Sequence, residues 1–254
     1  MQTITAIIPT KNEEKNIERC VKSLLWCDKI IVVVTGTDKT ADIAKKLGAQ
    51  VVERKETSKK DDFEKVQRTI NWAIKTCTTD WMIRVDADEV VTPELAKEIV
   101  SILKSNKTVN SPAAYGIPRK QFFLGTFLKG GDWAYDRLTR LFQPKFCLYD
   151  PIVKIHEQIK VNGEIGYLKC SLLHFSHPDQ KTLLKKFYSY TTLEAKQIKE
   201  TRLSAFLKLI FLPFYIFFRW MIYHHGYRDG WIGLLAGLMR AYYEVLLYSK
   251  FIFS

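Results

Sequence analysis

The first hundred residues alternate between short apolar runs and stretches with helical spacing, and that order leaves few folds open. Residues 3–8 read as a buried strand stopped by Pro9, and 29–34 as a second, rich in β-branched side chains. Residues 50–53 make a short third strand and 81–85 a fourth. Between them, Asn12 can cap a helix to about residue 25, with Ile17, Val21 and Leu24 on one face. Thr37-Asp38 opens a helix over 40–47 that Gly48 closes. Asp61 or Asp62 begins another, with Phe63, Val66, Ile70, Ala73 and Ile74 at helical spacing. Strands regularly separated by helices predict an α/β chain with a doubly wound, mostly parallel sheet and right-handed crossovers.

The fourth strand runs into Arg84-Val85-Asp86-Ala87-Asp88-Glu89. Residues two apart on an extended chain point to one side, so Asp86 and Asp88 aim together beyond the strand's end. That edge is where open parallel sheets bind ligands. Two carboxylates there suit a hard divalent cation (Mg²⁺ or Mn²⁺) whose other ligands are waters and substrate phosphates. The competing role, capping the next helix, is already filled by Thr92, with Pro93 at N1 and Glu94 in the first turn.

After Leu103 the pattern changes. Residues 105–112 read as a loop, 114–118, 137–142 and 165–168 as short strands, and Gly130-Gly131 and Asn162-Gly163 as turns. From residue 181 it changes again. Residues 181–254 hold 11 Lys/Arg against 4 Asp/Glu, within a chain of net charge +12. A basic tail suits nucleic acid or an anionic membrane, and its neighbours favour the membrane. Residues 203–223 and 231–248 are apolar and aromatic, but Lys208, Pro213, Arg219, Arg240 and Glu244 interrupt them. The uninterrupted runs fall short of the roughly 20 residues that span a bilayer. Lys208, Tyr215 and Arg219 would align in one polar stripe on a helix lying in the membrane interface. Two helices packed into a core, or a tilted hairpin with Lys208 and Arg219 snorkelling, are the alternatives. Five cysteines without a C-x-x-C pair argue for reduced thiols and against a zinc site or disulfide framework. The N-terminus enters a strand with no basic leader, so a cytoplasmic setting is expected.

The chain resembles the family-2 glycosyltransferases of GT-A fold, most closely the bacterial lipopolysaccharide-core glucosyltransferases. The resembling pieces occur in the family's order: Ile8-Pro9-Thr10-Lys11-Asn12-Glu13-Glu14, Thr37-Asp38-Lys39-Thr40, Gln67-Arg68 with Asn71, and Val85-Asp86-Ala87-Asp88-Glu89. Gly130-Gly131-Asp132-Trp133, Arg140-Leu141-Phe142 and Ile155-His156-Glu157 follow. The resemblance implies a glycosyltransferase domain over 1–180, with a nucleotide-sugar half (1–104) and an acceptor half (105–180), followed by membrane-associated helices over 181–254. It implies a nucleotide-diphosphate sugar donor, a divalent cation and inversion at the anomeric carbon. Thr10, Lys11 and Glu13 would lie along the base and ribose, and Arg68 would reach the nucleotide. Of the D-x-D acids, Asp86 and Asp88, one would meet the ribose and the other the metal. Relatives usually end the second strand in an Asp that contacts the base. Here it ends Val34-Thr35-Gly36, leaving the choice of base open.

An inverting transfer needs a group to take the acceptor hydroxyl's proton, and Glu157 is the candidate base, with His156 orienting it or lining the donor site. Asp88 would hold the metal, and His174 would complete its shell or serve as a core histidine. Trp133 would stack on an acceptor sugar or pack in the core. The expected activity is transfer to a cell-surface glycan or glycolipid such as lipopolysaccharide core, at the cytoplasmic face of the membrane. Transfer to a polyprenyl phosphate and a non-catalytic nucleotide-sugar scaffold are the alternatives. No nucleic-acid partner is expected.

Overall fold

Four parallel strands form where the apolar runs predict them: β1 (Ile4–Thr10), β2 (Lys29–Val34), β3 (Gln50–Glu53) and β4 (Trp81–Arg84), in the order β3-β2-β1-β4. This computed structural model describes residues 2–53, 62–105, 111–149, 159–177 and 179–253. The chain packs as two units, Met1–Arg119 with Arg137–Leu173, and Lys120–Asp136 with His174–Ser254. Packing thus groups 120–136 with the C-terminal residues, whereas sequence character divides the chain at 180.

In the first unit, helices α1 (Ile17–Lys22), α2 (Thr40–Lys46), α3 (Asp62–Thr76) and α4 (Pro93–Ser105) accompany the strands. Alternate residues of β1 face opposite ways, as a strand requires. Ile4, Ala6 and Ile8 pack with Ile17, Val21, Leu24, Leu95 and Ile99, while Ile7 packs with Ile70, Ala73 and Ile74 of α3. Pro9 does not end β1. The ladder between β1 and β4 stops at Ile7, so the missing N–H at Pro9 costs no bond there. Helix α1 starts later than Asn12 predicts. Asn12 sits at φ 56°, in the left-handed region, and its Oδ1 accepts the Thr37 N–H at 3.0 Å. Glu13 O instead receives the first N–H groups, from Asn16 and Ile17.

Beyond β4 the sheet turns mixed, which corrects the mostly parallel expectation. After β5 (Glu89–Val91) come β6 (Ala114–Phe123), β7 (Thr126–Phe127) and β8 (Arg137–Phe142). β8 lies antiparallel to both β4 and β6. Tyr115 pairs with Leu141 and Gly116 with Thr139, so Arg140 is the extra residue of a β-bulge, a device that re-aims a side chain. β9 (Cys147–Tyr149) and β10 (Ile159–Val161) form a separate ribbon, and β11 (Ile165–Tyr167) runs parallel to β6. β12 (Leu172–His177) completes the strands.

The second unit holds α5 (Gln180–Ala195), α6 (Arg202–Phe218) and α7 (Gly230–Phe253). Pro213 lies within α6 without ending it, and a π-type turn, Arg219–Tyr223, continues the helix. The continuous 22-residue element Arg202–Tyr223 is, by length and composition alone, long and apolar enough to cross a membrane. Leu203, Phe211, Phe214 and Ile222 are exposed along it, and Trp220 is buried. A Cβ at Gly131, Gly226 or Gly237 would stand within 3 Å of Trp220 ring atoms, so glycine is what admits the indole. Its Nε1 donates to Gly233 O at 3.0 Å.

Candidate active site

The carboxyl ends of β1, β2 and β4 share one edge of the first unit, because the three strands run parallel in register. The chain leaves β4 at Val85, whose N–H still bonds Ile7 O, and then turns at Asp86–Glu89. That turn closes on itself. Asp86 N donates to Glu89 Oε2 at 2.9 Å, and Glu89 N donates to Asp86 O at 2.8 Å. Cys20 of α1 lies beneath and donates its thiol to Asp86 O. Burial pushes that thiol well up, and the nearby Glu89, Asp86 and Asp88 carboxylates add to the shift, so it stays protonated.

Three arginines surround this turn. Arg140 Nη2 donates to Asp86 Oδ2 and reaches Glu89 Oε1 at 3.4 Å. Arg84 Nε donates to Asp86 Oδ1 at 3.2 Å, and Arg119 Nη1 to Glu89 Oε1 at 3.1 Å. Glu89 is wholly buried, and a carboxylate taken out of water needs such partners. Burial alone would raise the Asp86 pKa, but the Arg140 and Arg84 charges outweigh it and hold that carboxyl well below the usual range. Asp86 is therefore a fixed anion with 28% of its side chain still exposed. Its oxygens are committed to guanidiniums, which fits an orienting or hydroxyl-accepting role better than metal ligation.

Asp88 follows on the same edge, half-buried, with Arg19 near enough for its charge to act on that guanidinium. Among the described residues, no three His, Cys, Asp or Glu side chains are grouped to hold an ion. One carboxylate beside a bound diphosphate remains a donor set that a hard cation accepts, so Asp88 fits that use. His174 is half-buried on β12, in the second unit.

The other predicted residues fall as follows. Thr10 is buried at the end of β1, its Oγ1 donating to Val33 O and its carbonyl accepting from Thr35. Lys11 is exposed beside it, and Glu13 is half-buried with its carboxylate accepting from Asn16 Nδ2 at 2.8 Å. Arg68 is exposed on α3. Asp38 accepts from Thr40 N, Thr40 Oγ1 and Glu14 N, so it ties the start of α2 to the loop at Glu14. Gly36 presses on Asn12: a Cβ there would lie 2.5 Å from the Asn12 nitrogen. Asn71 holds the Tyr149 backbone by both amide atoms, at 2.8 and 2.9 Å. His156 and Glu157 lie outside the described residues, as does Asp61.

In the second unit, Trp133 packs edge-on against Trp220, ring centroids 5.1 Å apart, within the cluster of Phe123 and Leu128. Asp132 accepts from Arg219 at 3.1 Å, and Lys208 pairs with Glu200 at 2.6 Å. The basic stripe expected to meet lipid is thus neutralised by its own chain at both Lys208 and Arg219.

The residues that sequence reading left without a role are Arg84, Arg119, Arg140 and Glu89. Arg140 stood inside a matching segment, and the signal was an arginine set among the apolar residues of a strand.

A half-parallel, half-antiparallel sheet with paired acids at its carboxyl edge is the GT-A-like glycosyltransferase architecture. The description "Glycosyl transferase family 2" matches residues 5–150, more than half of the chain, and the protein belongs to that family. It is 26% identical over 253 residues to the lipopolysaccharide core biosynthesis glycosyltransferase LpsC of Rhizobium meliloti, covering 97% of this chain and 91% of that one. It is 28% identical over 262 residues to an uncharacterized glycosyltransferase of Rickettsia typhi, covering 94% and 86%. Among solved structures, S. aureus TarS superposes with TM-score 0.51 at 18% identity, over 77% of this chain and 39% of TarS. A TarS fragment, 1–349, gives TM-score 0.50 at 16% identity, over 98% and 89%.

Proposed function

We propose that this chain transfers a sugar, with inversion, from a nucleotide-diphosphate donor to a glycan or glycolipid acceptor of the lipopolysaccharide-core kind. The observation that carries the reading is the Asp86–Asp88 pair at the carboxyl edge of β4, with Asp86 fixed as an anion by Arg140 and Arg84. Family membership and the LpsC relative support the class of reaction and of acceptor.

Thr10, Lys11, Glu13 and Arg68 are assigned to the nucleotide. Asp86 accepts from a donor hydroxyl, and its rigid placement lowers the cost of ordering the site around substrate. Asp88 is assigned to a divalent cation. Such an ion, when bound, supplies Lewis-acid stabilisation of the charge that grows on the leaving diphosphate. Glu157 is assigned as the base that takes the acceptor hydroxyl's proton as that oxygen attacks the anomeric carbon, with His156 orienting it. Trp133, packed on Trp220 and Phe123, is given the core role rather than an acceptor contact. The exposed apolar side of α6 supports work at the cytoplasmic face of a membrane, held peripherally or monotopically.

The test is release of nucleoside diphosphate from a panel of nucleotide-sugars, with and without Mn²⁺ and a bacterial lipid extract. Asp88→Ala is expected to abolish metal-dependent release while leaving the circular dichroism spectrum unchanged. Undiminished metal-dependent turnover by that variant would refute the assignment.

A further inference from the structure

Beside the acidic turn, the first unit encloses a cavity of about 280 Å³. Gly116, Arg137, Arg140, Tyr149 and Tyr167 line it. Gly116 shapes one wall, since a Cβ there would stand 2.9 Å from the Tyr167 ring. Arg137 lies over that ring at 5.1 Å from its centroid, and Arg84 lies over the Tyr149 ring at the same distance. Arg137 has no carboxylate partner among the described residues. Arg140 is 4% exposed, and its Nε is buried without a hydrogen-bond partner.

These features select a ligand. The volume lies just below the usual range for ligand sites, which suits one sugar better than a whole nucleotide-sugar. Aromatic side chains offer apolar faces to sugar C–H groups. Guanidiniums match carboxylate and phosphate in a way that neutral sugar hydroxyls do not. Arg140 is also shared, since this lining residue fixes Asp86 through Nη2. A ligand here would sit one side chain away from the acid pair.

We infer that this cavity is the acceptor subsite and takes an anionic sugar, one carrying a carboxylate or a phosphate, with Arg137 as its specificity-determining contact. The inference rests on the glycosyl-transfer reading and names the acceptor's chemical class. Its test uses the full chain, titrated calorimetrically with glucose, glucuronate and glucose 6-phosphate, and separately with UDP, GDP and ADP. Both anionic sugars, or one of them, should bind at least tenfold more tightly than glucose, and the stronger of the two identifies the anion. Arg137→Ala should weaken that binding roughly 10- to 100-fold, the worth of one charged hydrogen bond, and Arg137→Lys should recover part of it. Nucleoside diphosphate binding should be unchanged in both variants. Equal affinity for glucose and the anionic sugars, or an Arg137→Ala protein that binds them as wild type does, would overturn the inference. Loss of nucleoside diphosphate binding in Arg137→Ala would overturn it too, by assigning the cavity to the donor. Tight anionic-sugar binding by a chain that takes no nucleotide would leave the subsite standing and refute the transfer reading instead.

Discussion

Replacing Arg140 with methionine removes a side chain that bridges Asp86 and Glu89 while keeping much of its apolar stem. Glu89 is wholly buried and would keep Arg119 and the Asp86 N–H; Asp86 would keep Arg84. Breaking a buried ion pair from one side costs about 3–5 kcal/mol, because the carboxylate left behind cannot return to water. Against a total stability of about 5–15 kcal/mol, that is a large share. At about 2–4 °C per kcal/mol for domains of this size, the transition should fall by roughly 6–20 °C. The deficit also depends on pH. Asp86 has its folded pKa depressed, so its contribution is complete above its unfolded value of about 4 and is lost as pH falls toward the folded value. The gap between wild type and Arg140→Met should therefore narrow below about pH 4. Urea unfolding by circular dichroism, from pH 7 downward, reads the total. Amide exchange of β4 and β8 localises it to the first unit. Arg140→Lys should fall between the two, since an ammonium keeps the charge but not the fork. A deficit under 1 kcal/mol at pH 7, or one that stays constant into acid, would refute the reasoning.

Glu157→Gln is expected to keep nucleotide-sugar binding and lose transfer by roughly 10²–10⁴-fold, measured by calorimetry and product release. Gly36→Ala places a methyl 2.5 Å from the Asn12 nitrogen, so it should cost about 1–3 kcal/mol in urea unfolding and weaken nucleotide binding by shifting the 10–14 loop. Phe211→Glu with Phe214→Glu should abolish sedimentation with anionic vesicles while the fold survives, since both rings are exposed. Salt should release the wild type only weakly, because Lys208 and Arg219 are already paired with Glu200 and Asp132. Ending the chain near Glu200 should destabilise the second unit, because it strips Trp220 and Ala236 from the cluster that buries Leu183 and Phe187.

The parallel half of the sheet was legible because each of its strands is a local apolar run, and the helices between them carry helical spacing of their own. The acid pair was legible for the same reason, since two residues on one strand end need no distant partner to share a side. What was not legible depends on register between distant segments. Arg140 meets Asp86 only because a bulge between Tyr115 and Gly116 turns it there, and nothing local to 137–142 marks that bulge. Helix α1 started late because Asn12 gave its side chain to Thr37, a bond across 25 residues. Pro213 and the charges of α6 looked like interruptions in one dimension. In three dimensions Lys208 and Arg219 find acids, and the helix runs through.

The second unit is assembled from pieces far apart in the chain, and this bears on its birth on the ribosome. Residues 129 and 130 donate to the carboxylate of Asp229, and Gly131 waits for the indole of Trp220. At about 5–20 residues per second, the stretch carrying Phe123, Leu128 and Trp133 emerges roughly 5–20 s before those partners exist. During that interval its aromatic side chains have only the neighbours already synthesised, while β1 to β4 can pair at once. A nascent chain of this design is sticky in its middle until its last helices appear, and a helper that shields apolar segments during translation would find its first client site there.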